Sequence, residues 1–71
     1  MTNVVYRNKR DTLRIAEISG KFYPYIWDEN AGQARSLDGQ WFAGHSESGV
    51  RYVSKPYKTL DQAKRAASPL N

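Results

Sequence analysis

Phe22-Tyr23-Pro24-Tyr25-Ile26-Trp27 is an unbroken apolar run, and four of its six residues are aromatic. So short a run, rich in rings, reads as a strand over residues 21–28. Alternation then assigns Phe22, Pro24 and Ile26 to one face and Tyr23, Tyr25 and Trp27 to the other. Both faces are apolar, unlike a strand with one wet side, so both ask for cover or for something to touch. Pro24 adds a second constraint. It has no N–H to give a ladder, which predicts an edge strand or a bulge at that point.

The neighbouring segments supply partners. Residues 3–7, NVVYR, are β-branched and aromatic and read as a short strand. Asn8 to Asp11 is a polar turn, and residues 12–18, TLRIAEI, return as a second strand. There Leu13 and Ile15 point one way while Arg14 and Ala16 point the other. Ser19-Gly20 suits a tight hairpin, because glycine takes positive φ without a Cβ clash. Residues 28–39 show no periodicity and carry two glycines and three acids, so they read as a long loop. QWFAGH at 40–45 and VRYVS at 50–54 read as two more strands around a hairpin loop at 46–49, with Pro56 ending the second.

Thr59-Leu60-Asp61-Gln62 is a capping-box pattern, with Thr59 at the N-cap and Asp61 in the first turn. Leu60, Ala63 and Ala67 follow at helical spacing, Lys64 and Arg65 face outward, and Ser68-Pro69 stops the helix. A helix of some eight residues does not persist alone in water, so it must dock. The expected fold is α+β: one domain over residues 1–71, an antiparallel sheet of three to five strands, and one C-terminal helix on one face.

Seventy-one residues without a cysteine allow neither a disulfide nor a thiolate metal site. The first residues, MTNVVYRNKRD, do not form the apolar core of a signal peptide, and no run approaches a membrane span. A cytoplasmic protein that does not enter a membrane is the expectation. Catalytic patterns are thin. His45, the one histidine, sits beside Ser46-Glu47-Ser48, but sequence neighbours do not make a triad. Asp28-Glu29 is explained by turn chemistry, and no glycine-rich phosphate loop precedes a helix. A non-enzymatic chain with no cofactor and no metal is expected.

Binding is better supported. Eleven Lys and Arg against seven Asp and Glu leave a net charge of +4. Basic residues recur beside rings, and rings among cations can stack bases while the cations neutralise phosphates. The residues singled out are Arg14, Lys21, Tyr23, Tyr25, Trp27, Arg51, Lys55 and Lys58, gathered on the sheet face away from the helix. The competing reading is that the rings are core, since a chain poor in leucine must build its interior from something.

Gly20-Lys21-Phe22-Tyr23-Pro24-Tyr25, then Arg51-Tyr52-Val53, then Tyr57-Lys58-Thr59-Leu60-Asp61-Gln62-Ala63 resembles the amino-terminal arm-binding domain of phage tyrosine recombinases. The resemblance spans residues 12–67. It implies a three-stranded sheet with a C-terminal helix, the sheet entering a DNA major groove with Tyr23, Tyr25 and Arg51 toward it. The segment 28–39 and the strand near Trp41 are insertions relative to that pattern, and no recombinase catalytic domain follows. Two functions come from these features. One is a nucleic-acid-binding module using the basic, aromatic sheet face. The other is a phage- or plasmid-type inhibitor or adaptor that blocks a host protein through an apolar edge strand. A homodimer pairing two sheets would hide the same rings.

Overall fold

The computed structural model describes residues 3–30, 32–37 and 54–70, apart from the side chains of Gln33 and Leu70. The expected strands at 40–45 and 50–54, with His45, Trp41, Arg51 and Tyr52, lie outside the described residues. The chain runs β1 (Asn3–Arg7), β2 (Leu13–Ile18), β3 (Lys21–Asp28), β4 (Gln33–Arg35) and α1 (Leu60–Ala67), followed by a 3-10 turn, Ser68–Leu70. The strands form one antiparallel sheet in the order β1-β2-β3-β4. This is the expected α+β architecture, with four strands among the described residues.

Local chemistry explains the connections. In the turn after β1, the Asn8 Oδ1 accepts from the Thr12 N–H (2.9 Å) and the Leu13 N–H (3.1 Å). Asp11 closes this turn at φ 55°, a left-handed conformation that aspartate tolerates better than most residues. The β2–β3 hairpin pairs Ile18 with Lys21, and both loop residues have positive φ: 53° at Ser19 and 79° at Gly20. Two left-handed residues in a two-residue loop are the primed turn whose twist matches the strands.

Two expectations are corrected here. The first concerns Pro24, which lies in an interior strand. Phe22 exchanges both backbone hydrogen bonds with Tyr57 (2.9 and 2.8 Å) on the side of β3 away from β2. Alternation points the backbone of Pro24 the same way, and β4 begins its pairing only at Ile26. The missing N–H therefore points away from β2, between the residues that pair with Tyr57 and with β4, and costs the β2–β3 ladder no bond. The second concerns the 28–39 loop, from which three residues return as β4, matching Ile26 with Arg35, Trp27 with Ala34 and Asp28 with Gln33. Gln33-Ala34-Arg35 has no strand pattern of its own; the open end of β3 imposes one.

Each sheet face carries part of the core. Leu13, Ile15 and Pro24 are almost wholly buried on one face, as are Ala63 and Ala67 of α1. The helix packs on β3 and β2, and its Lys64 ammonium lies 5.0 Å from the centroid of the Tyr6 ring, on the strand position paired with Ile15. Two alanines on the docking side allow the close approach. Thr59 caps α1 by accepting from the Gln62 N–H (3.1 Å), and the Gln62 Oε1 reaches back to the Lys58 N–H (3.2 Å). The opposite face holds a second buried cluster of Ala16, Ile18, Tyr25 and Ala34, flanked by Tyr23 and Trp27.

Candidate nucleic-acid interface

The rings of Tyr23, Tyr25 and Trp27, each expected to be at least partly exposed on the face away from the helix, divide. Tyr25 is 0% exposed, so the expectation of an exposed ring is wrong for this residue. Tyr23 and Trp27 are half-buried, packed against the Tyr25 cluster. With apolar residues on both strand faces, burial of the middle ring is the stronger effect. A buried aromatic side chain removes about 150–250 Å² from water, on the order of 1.5–3 kcal/mol of stabilisation.

Arg14 is likewise buried, 7% exposed, and its chemistry is already committed. Its Nε and Nη2 donate to the two carboxylate oxygens of Asp11 at 2.8 and 2.7 Å, a bidentate fork. Its guanidinium carbon sits 4.5 Å from the Trp27 ring centroid. The hydrogen bonds from Arg14 hold the Asp11 carboxyl below its ordinary value of 3.8; partial burial opposes this, and the charges of Arg14 and Arg7 reinforce it. A guanidinium that is paired, stacked and buried belongs to the framework of this face and is not a free phosphate ligand.

Of the other basic candidates, Lys21 and Lys58 flank the bridge between Phe22 and Tyr57. Lys21 is exposed at the start of β3. Lys55 and Lys58 are exposed and come together in a groove of about 660 Å³ between residues 55–58 and α1. The described residues lining it are Lys55, Pro56, Tyr57, Lys58, Gln62, Arg65 and Ala66. Three are cations, one is a ring, and none is an acid. Arg51, the remaining candidate, lies outside the described residues.

Both walls of this groove are anchored. Tyr57 is pinned by its paired hydrogen bonds to Phe22. Arg65 and Ala66 ride on α1, whose first turn is capped by Thr59. The Lys55 ammonium lies 5.7 Å from the Tyr57 ring centroid. At an exposed site such a contact is worth only about 0.5–1 kcal/mol, so Lys55 is easily recruited elsewhere. Sequence reading found Lys55 and Lys58 but missed Tyr57 and Arg65 as their companions. The Arg65 signal was present, since an outward arginine on a helix beginning two residues after Lys58 stays close in sequence to that segment.

A second cleft, about 340 Å³, lies where the β1–β2 turn meets the β3–β4 turn. It combines Arg10 and Arg35 with Asp11, Asp28 and Glu29 beside Trp27. Three carboxylates against two guanidiniums make it a poor seat for phosphate. Among the described residues, no set of three His, Cys, Asp or Glu is placed to hold a metal ion, and no helix is long and apolar enough to cross a membrane. Compared with known proteins, the chain matches no family model, and no curated sequence or solved structure is significantly similar to it.

Proposed function

We propose that this chain is a small non-catalytic module that binds nucleic acid through the basic groove beside α1. One observation carries the reading: Lys55, Lys58 and Arg65 converge on one shallow, open surface with Tyr57 and no acid among its described lining residues. Cations gathered without counter-charges are what phosphate contacts require, because each contact releases condensed counterions from the nucleic acid. The net charge of +4 adds long-range attraction of the same sign. A cytoplasmic location goes with this reading.

Of the two edges among the described strands, β1 and the three-residue β4, the competing reading, an inhibitor that engages a host protein by strand addition, would use the longer, β1. That edge is five residues long, has a register shift between Val4 and Tyr6, and shows exposed Asn3, Val5 and Arg7. Short, irregular, charged edges are devices against pairing, so the groove is favoured.

Fluorescence anisotropy of labelled single-stranded and duplex oligonucleotides tests the proposal. Binding of either that weakens steeply between low and physiological salt, and that falls at least about tenfold in Lys58→Glu/Arg65→Glu, is the expected result. No binding of either form at low salt overturns it.

A further inference from the structure

The Tyr57 ring beside the cations points to a narrower ligand class. We infer that the groove accepts a single strand, with one unpaired base stacked on Tyr57 and its flanking phosphates on Lys55, Lys58 and Arg65. This rests on the nucleic-acid reading of the same groove.

A duplex keeps its bases stacked inside and offers such a surface only its backbone, which can meet the tyrosine hydroxyl but leaves the face of the ring unused. An unpaired base can leave its stack and lie on a ring, and every base has a face that suits one. Tyr57 is suited to be that platform. Its backbone is held at 2.9 and 2.8 Å by Phe22, so the ring stands on the sheet and not on a free loop. Its side chain is half-buried and lines the groove, with Pro56 and Ala66 as the other apolar surfaces.

The Lys55 ammonium now beside this ring completes the argument. A stacked base makes the stronger contact with the ring and displaces it. Lys55 is exposed on a flexible stem, so the released ammonium can turn to an adjacent phosphate. The exchange trades a weak ring contact for a stack and a charge-assisted hydrogen bond. A duplex has no base to make that trade.

The test compares four probes of equal length by anisotropy with the unmodified protein: oligo-dT, oligo-U, a mixed-sequence duplex, and an abasic single strand with an intact phosphate backbone. The expected result is that at least one base-bearing single strand binds about tenfold or more tighter than both the duplex and the abasic strand. Tyr57→Leu should reduce that strand to the abasic level, while Tyr57→Phe keeps its advantage. Circular dichroism establishes that both variants are folded, and the abasic comparison needs no variant at all. Equal binding of base-bearing and abasic strands, or a duplex bound as tightly as either, overturns the inference while leaving a phosphate-binding groove standing. Failure of all four probes to bind overturns the nucleic-acid reading itself.

Discussion

Tyr25 and Arg14 face each other across β2 and β3, and both have roles in the framework that their residue types do not announce. Tyr25 is 0% exposed in the middle of the second cluster. Tyr25→Ala should cost about 3–5 kcal/mol, as large aromatic truncations in cores do. So small a domain has only a few kcal/mol to lose, so this variant should show no cooperative thermal transition by circular dichroism. A variant that melts like the native chain would return Tyr25 to the role of a contact residue. The Asp11–Arg14 pair is unequal: the Arg14 side chain is 9% exposed and that of Asp11 37%. Losing Asp11 takes both bonds of the fork from a buried guanidinium. The pH dependence follows from the direction of the Asp11 shift. Its carboxyl titrates lower in the folded chain than in the unfolded one, so the unfolded chain binds more protons across the interval between the two values. The stabilisation is complete well above the ordinary value of 3.8 and is lost as pH falls below it through the folded value. Urea midpoints measured from neutral pH into this acid range should fall more steeply for the native chain than for Asp11→Asn, and parallel curves would deny the pair that role.

At the scale of elements, α1 is eight residues long and depends on its cap and its docking side. Thr59→Ala removes the acceptor for the Gln62 N–H and should cost about 1 kcal/mol in denaturant unfolding, with Thr59→Ser recovering most of it. Ala63 is 0% exposed, so Ala63→Leu should overpack the interface and cost about 1–3 kcal/mol. If that variant instead gains stability, the helix does not pack as closely as its buried alanines require. Both changes act on the groove as well, since Arg65 is placed by the same helix. The β3–β4 hairpin follows a different rule. Gly32 sits at φ 64° and opens a strand of three residues that has little preference of its own for extended structure.

For the whole molecule, charge is distributed so that the two recesses differ in sign balance. The cleft at the turns carries three acids against two arginines, while the groove beside α1 carries three cations and no acid among its described lining. Three phosphate contacts on a single strand correspond to a slope of log affinity against log salt of about −2, at roughly −0.7 for each contact. Replacing Lys58 with Gln should reduce the magnitude of that slope by about 0.7, whereas Lys9→Gln, exposed in the β1–β2 turn at the other end of the sheet, should leave it unchanged. Equal effects of the two would mean that net charge, and not the groove, governs binding.

Several elements could be read directly from the chain. The NVVYR, TLRIAEI and KFYPYIWD segments announce their strands by composition and alternation. Ser19-Gly20 announces the hairpin, and Thr59 to Gln62 announces the start of α1. These are local signals, because side-chain sterics, turn conformation and capping act within a few residues. The interior position of Pro24 was not legible, because β3 is flanked there by Tyr57, distant in sequence, and by β4, a strand with no pattern of its own. β4 itself was not legible because pairing with β3 creates it. The candidate site divides in the same way. Lys55 and Lys58 stand out as exposed cations near a ring. Their union with Arg65, the burial of Tyr25 and the stacking of Arg14 on Trp27 depend on which surfaces meet. The amino-acid order determined the strands, the turns and the helix, since those follow from nearest-neighbour physics. Only the tertiary structure decided which rings became core and which cations stayed exposed, because burial depends on distances between segments far apart in the chain.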